Sequence, residues 1–139
     1  MFLVNVEGER LVAYRDTAGR WTIGVGHTGP EVRQGITITR EQSRAYLRSD
    51  AEAADKAVSE LVRVSLTDNQ RFALVSFVFN LGRSRLATST LLRLLNAGDY
   101  ASVPAQLARW NKETVDGVLR DSVGLTNRRR AETTLWNAK

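Results

Sequence analysis

The rhythm of apolar and polar positions changes near residue 38. Upstream, from Leu11 to Ile38, the chain is glycine-rich and alternating. Arg20-Trp21-Thr22-Ile23-Gly24-Val25 and Gly35-Ile36-Thr37-Ile38 therefore read as short strands. Asp16-Thr17-Ala18-Gly19 supplies turn residues between two such runs and predicts a hairpin. From Thr39 onward the period is helical. Thr39 with Gln42 fits a capping box, opening a helix to about Val62 with a stripe of Ala45, Leu47, Ala51, Ala54, Val58 and Leu61. Thr67 with Gln70 repeats the start signal, and Phe72 to Leu81 is apolar almost all round, as in a buried central helix. Gly82 is its stop. Thr90 to Asn96, closed by Gly98, is a further helix; Pro104 suits the first turn of one ending near Trp110; Thr126 to Trp136 is the last. Asn111 to Gly124 reads as a polar loop with a short helical turn, and Glu7 sits near the end of a short N-terminal helical segment.

These elements predict an α+β fold. A small β-lobe, about residues 11–38, joins a larger all-helical lobe, about 39–139 plus the N-terminal segment, with a cleft between them where ligand sites tend to form. At 139 residues the chain is one domain, 1–139, large enough to bury its own core. Hydrophobic content of 42% and charged content of 25% are ordinary for a globular protein.

Composition removes several function classes. Without cysteine there is no disulfide or thiol chemistry, and a single histidine with no clustered ligands argues against zinc or any other metal cofactor. No apolar run approaches the roughly 20 residues that span a bilayer, so stable membrane insertion is not expected. No basic-then-apolar leader is evident. The net charge of +5 and pI near 10.2 favour a polyanionic partner. Nucleic acid is the bland choice, but Lys and Arg are spread along the chain apart from Arg128-Arg129-Arg130, and no nucleic-acid motif is present. Bacterial envelopes are polyanionic too, so charge alone does not decide.

The chemistry concentrates between Glu7 and Gly29, where carboxylates, a hydroxyl and five glycines punctuate alternating apolar residues. Two carboxylates in different surroundings are what hydrolysis of a glycosidic bond requires. Taken singly, each residue has a plainer reading: Glu7 as a surface glutamate, Asp16 as a turn former, Thr22 as a strand former.

The pattern is more specific than its parts. Glu7-Gly8, Tyr14-x-Asp16 and Gly19-x-x-Thr22-Ile23-Gly24-x-Gly26-His27 resemble the signature of the phage-type lysozymes, the endolysins of glycoside hydrolase family 24. Leu66-Thr67-x-Asn69-Gln70, Val75-x-Phe77-x-Phe79-Asn80-x-Gly82, Ser89-Thr90-Leu91-Leu92, Trp110 and Gly124-Leu125-x-x-Arg128-Arg129-x-Ala131-Glu132 follow in the family's order. The resemblance covers most of the chain. It implies a lysozyme-like fold and a muramidase that cleaves the β-1,4 bond between N-acetylmuramic acid and N-acetylglucosamine of peptidoglycan, for host cell lysis.

It also implies roles. Glu7 would be the general acid, which needs surroundings that keep it partly protonated. Asp16 would be the ionised carboxylate that steadies charge on the sugar or helps activate water, and Thr22 would hold that water. A water holder argues for inversion, which places the carboxyl groups roughly 6.5–9.5 Å apart; at about 5–5.5 Å, retention would follow. In the family His27 is structural, paired with a carboxylate; Asp50 or Asp55 qualifies, Asp50 better by position. Arg128 stands at the position beside the catalytic glutamate, its plainer reading being an exposed helix-face arginine. Thr28 and Phe79 match positions that touch sugar, although core packing suits Phe79 equally. Asn80 matches a hydrogen-bonding position of the same cleft. Trp110 and Trp136 read as packing residues, and Trp21 as cleft or strand packing.

The chain departs from the family in two places. Val25 stands where an aromatic is usual, which alters a sugar contact. Six residues precede Glu7, which fits either a native short start or an end trimmed of an export anchor or wall-binding module. The expected partner is the peptidoglycan glycan strand, with no nucleic acid and no cofactor, and a monomer as the default. The expected location is the host cytoplasm until release, then the periplasmic wall. A lytic transglycosylase is the nearest competing chemistry, but it needs no positioned water; a non-enzymatic wall- or nucleic-acid-binding protein needs none of the three site residues.

Overall fold

The computed structural model describes residues 3, 7–16 and 18–138. Most of the expected N-terminal helical segment, residues 1, 2 and 4–6, lies outside them, as does Thr17 of the expected turn. The fold is mixed α+β, as the pattern predicts. The chain divides into two compact units: residues 1–52 with 114–118, and residues 53–113 with 119–139.

In the N-terminal unit, β1 (Arg10–Arg15) and β2 (Trp21–Gly24) pair antiparallel, with Tyr14 opposite Thr22 and Arg15 opposite Trp21. The register slips between Arg10 and Tyr14, a bulge that bends β1. The expected strand at Gly35–Ile38 shrinks to a single bridge, Val12 to Thr37. Gly35 turns the chain at φ +85 just before it, and Thr39 just after is already committed to capping the next helix. Little extended chain remains to run beside β1.

Helix α1 (Arg40–Leu61) starts on the predicted capping box: the Gln42 amide donates to Thr39 Oγ1 at 3.1 Å, and the Thr39 amide to Gln42 Oε1 at 2.9 Å. Its inward stripe differs from the expected one: Ala57 is buried beside Ala54 and Val58. Ala45 is exposed, and the buried position one turn before Leu47 is Ser43.

In the helical unit, α2 (Asp68–Leu81) opens on the Thr67–Gln70 capping box and packs along α6 (Val123–Asn137). Ala73 through Val78 are all buried, but Phe72 is 57% exposed, so the helix is not apolar-packed all round. Between them come α3 (Arg83–Ala87), α4 (Thr90–Asn96), a 3₁₀ turn (Tyr100–Ser102) and α5 (Val103–Ala108). Leu74, Phe77, Leu86, Leu91, Leu95 and Leu107 are fully buried and form the centre of this unit's core. Trp136 belongs to the same cluster, and Trp110 sets the edge of its ring against Phe77 at 5.5 Å.

The expected loop at Asn111–Gly124 is instead a hairpin, β3 (Lys112–Val115) and β4 (Val118–Asp121). Asp116 and Gly117 both take positive φ, 51° and 78°, as a type I′ turn requires. Lys112 pairs with Asp121 across it, and Ser122 then caps α6 by accepting from the Leu125 amide at 3.1 Å.

Candidate active site

The three catalytic candidates all fall in the N-terminal unit. Glu7 is half-buried. Its carboxyl lies directly over Gly26, where a Cβ would stand 2.6 Å from Oε2 and 2.8 Å from Cδ. Gly26 belongs to a tight loop, Gly24-Val25-Gly26, closed by reciprocal backbone bonds between Ile23 and His27, both 2.9 Å. Only a glycine admits both the carboxylate above it and its own φ of +70. Val25, expected at a sugar-contact position, is instead 1% exposed and part of the interior.

Asp16 and Thr22 are fixed through a common neighbour, Arg20. The amides of Ala18 and Arg20 donate to Asp16 Oδ1 at 3.0 and 2.8 Å, and Arg20 Nε donates to Oδ2 at 3.1 Å. An aspartate folding its own turn in this way is an Asx-turn. The Arg20 carbonyl then accepts from the Asp16 amide at 2.9 Å and from Thr22 Oγ1 at 3.1 Å. With its proton given to that carbonyl, the Thr22 hydroxyl oxygen is left to act as an acceptor. Thr22 is buried, directly opposite Tyr14. Burial raises the Tyr14 phenol, and the charges of Glu7 and Asp16 add to this against the pull of Arg10, whose guanidinium lies 4.4 Å over the ring. The phenol is thus a neutral group in the field of both carboxylates.

Trp21 is half-buried with the Arg15 guanidinium 4.9 Å over its ring. Thr28 is exposed on the chain leaving the Ile23–His27 loop.

His27 finds the partner expected of it. Nδ1 meets Asp50 Oδ2 at 2.7 Å, whereas Asp55 pairs with Arg71 at 2.7 Å. A second carboxylate, Glu31, lies 2.6 Å from Nε2, and Tyr46 stacks on the ring at 4.0 Å. Burial opposes the charged ring, but hydrogen bonding to Glu31 and Asp50 outweighs it and the His27 pKa is raised. A raised pKa favours the fold while the ring is charged in both states, below the ordinary histidine range of about 6.5. That stability is lost as pH climbs through the folded value. The melting-temperature gap between the native protein and His27→Gln is therefore expected to be wider at about pH 5.5 than at about pH 8.5, values on either side of that range. A gap independent of pH would show that the ring acts only by packing.

Phe79, Asn80 and Arg128 belong to the helical unit. Phe79 is partly buried against the core. Asn80, expected to bond within a cleft, accepts at Oδ1 from Arg129 Nη2 at 2.9 Å. Arg128 is buried, not on an exposed helix face; it donates to the Ser76 carbonyl at 3.1 Å and lies 3.5 Å from Glu132 Oε2. Arg129 Nε meets Glu132 Oε1 at 2.7 Å, and Ser76 Oγ donates to Glu132 Oε2 at 2.6 Å. Burial pushes the Glu132 carboxyl up, against the pull of Arg129, Ser76 and Arg128. Arg129 and Glu132 escaped the sequence reading as a pair, although their three-residue helical spacing is the signal for it. Among the described residues no cluster of acidic and histidine side chains is placed to hold a metal ion.

Residues 4–132 match the family described as phage lysozyme. An endolysin of Acyrthosiphon pisum secondary endosymbiont phage 1 is 43% identical over 138 residues, 99% of this chain and 94% of that relative. A SAR-endolysin of Escherichia phage Mu is 41% identical over 137 residues, 99% of this chain and 77% of the relative. Among solved structures, the muramidase domain of SpmX from Asticaccaulis excentricus superposes with a TM-score of 0.86 at 35% identity, over 99% of this chain and 92% of that one.

Proposed function

The chain belongs to the phage lysozyme family, and on that premise we propose how its residues divide the family's reaction. It is a peptidoglycan-hydrolysing endolysin, a glycosidase of the muramidase type. Glu7 is the general acid that protonates the glycosidic oxygen as the bond breaks. Asp16, with Thr22, orients the water that attacks the sugar carbon from the opposite face. Such a water accounts for inversion of configuration.

The observation that carries this reading is the shared anchoring of Asp16 and Thr22 on Arg20. A carboxylate held by three N–H donors and a hydroxyl whose proton is already committed make two fixed acceptors. Together they take both protons of one water and turn its lone pair outward. Thr28 and Phe79 would contact sugar, with His27, Asn80 and Arg128 as structural supports. The working unit is a monomeric catalytic domain acting on glycan strands, not on nucleic acid. It resides in the host cytoplasm until release and acts at the periplasmic wall. The Mu relative's description as a SAR-endolysin supports an exported form. No helix among the described residues is long and apolar enough to cross a membrane.

The test is digestion of purified peptidoglycan, with products identified by mass spectrometry and the first anomer formed followed by NMR. Reducing-end muramic acid appearing first as the α-anomer is the expected result. The β-anomer first would make Asp16 a nucleophile, and anhydromuramic products would establish a transglycosylase instead.

A further inference from the structure

Glu7 is followed by Gly8, at φ +73 with open space where a Cβ would stand. The next residue is anchored with unusual thoroughness. Glu9 Oε2 accepts from Ser43 Oγ at 2.7 Å and lies 3.1 Å from Arg44 Nε, while Oε1 accepts from Arg44 Nη2 at 3.3 Å and lies 3.9 Å from Arg40. Ser43 is fully buried on the first turns of α1. The Ser43 hydrogen bond, acting against burial and helped by Arg44 and Arg40, keeps Glu9 below the usual carboxylate range.

Ser43 has a second neighbour. Gly24 comes so close that a Cβ there would stand 3.0 Å from Ser43 Oγ. Two residues on, Gly26 backs the Glu7 carboxyl. The contacts close a ring: Ser43 to Glu9, back through Gly8 to Glu7, across to Gly26, and along Val25 to Gly24 and Ser43 again. One hydroxyl thus anchors the chain that carries the acid and lies against the loop on which the acid's carboxyl rests. We propose that Ser43 and Glu9 are positioning residues for the hydrolytic reaction, setting the location of the Glu7 carboxyl through this ring. The role is separate from that of Asp16 and Thr22, whose anchors lie on Arg20.

The inference rests on Glu7 being the acid, and the experiment separates the two claims. Ser43→Ala removes the hydroxyl and leaves every charge in place; Glu9→Gln keeps the shape and removes the ion pairs. Both are assayed for kcat and KM on soluble glycan-strand oligomers, well below their melting temperatures, beside Glu7→Gln. An ångström of displacement at a reacting group costs up to about 10²-fold. The expected result is a fall in kcat of about tenfold or more for Ser43→Ala with KM little changed, the mark of lost transition-state alignment rather than lost binding. Glu9→Gln is expected to fall less, since its amide oxygen still accepts from Ser43. Should Ser43→Ala fail to fold, Glu9→Gln carries the test with the same split required. Native kcat in a folded Ser43→Ala, or a fall seen only as reduced melting temperature, overturns the positioning role. If Glu7→Gln itself stays active, the acid reading fails instead.

Discussion

Glu7→Gln is expected to fold as the native protein does and to lose lysis. Glutamine has the same length and nearly the same shape, so it can occupy the space over Gly26 without crowding it. What it lacks is an acidic proton for the departing sugar oxygen. General acid catalysis contributes about 10²–10⁴-fold, and a loss of that order is the expected change in kcat, with an unchanged circular dichroism spectrum and little change in melting temperature. Full lysis by this variant would remove Glu7 from the chemistry. The substitution also discriminates between classes of function, because a protein that merely bound the wall would retain its affinity and have no turnover to lose.

Gly26→Ala is expected to produce the second large effect, by a different route. The added methyl carbon would stand 2.6 Å from a carboxylate oxygen, inside any van der Waals contact. One of the two must move, and the end of a glutamate side chain moves more readily than a loop closed by two backbone hydrogen bonds. The acid is therefore displaced by about an ångström, for which a loss approaching 10²-fold in kcat is expected. A left-handed backbone without glycine adds about 1–2 kcal/mol of strain. Gly35→Ala separates the two effects, since Gly35 has a comparable φ of +85 and open space around it. Both variants should lose similar stability, while only Gly26→Ala should lose most of its activity. Equal activities would mean that the carboxylate tolerates displacement.

Much of this was legible in the chain because the signals were local. Both capping boxes lie where Thr39-x-x-Gln42 and Thr67-x-x-Gln70 announce them, since four residues contain the whole interaction. Asp50 was favoured over Asp55 for His27 by its position on the long helix, and it is the partner found. The β3–β4 hairpin was missed although Asp116-Gly117 is a strong turn signal, because its strands are short and mostly exposed and show no clean alternation. Ser43 was missed for a deeper reason. A serine on the apolar face of a helix looks like a break in the stripe until Glu9, 34 positions away, is seen to satisfy it. Arg129 and Glu132 were opaque in the same way: charged residues read as surface, and only the packing of α6 along α2 turns them inward, where Glu132 meets Ser76. The catalytic candidates themselves were found through motif resemblance, since nothing in the periodicity distinguishes Glu7 from a solvent-facing glutamate.

His27 is the sole histidine of the sequence, and it is sandwiched between Asp50 and Glu31 under the ring of Tyr46. In a proton NMR spectrum it supplies the only imidazole resonances, so they need no assignment by mutation. Ring-current shielding from Tyr46 displaces them from random-coil positions whenever the N-terminal unit is intact. One pair of peaks therefore reports the local unfolding of the half of the molecule that carries Glu7, Asp16 and Thr22. Two of the three tryptophans, Trp110 and Trp136, pack in the helical unit, so tryptophan fluorescence is weighted towards the other half. Whether the two halves melt together can be read from unlabelled protein, with no residue changed.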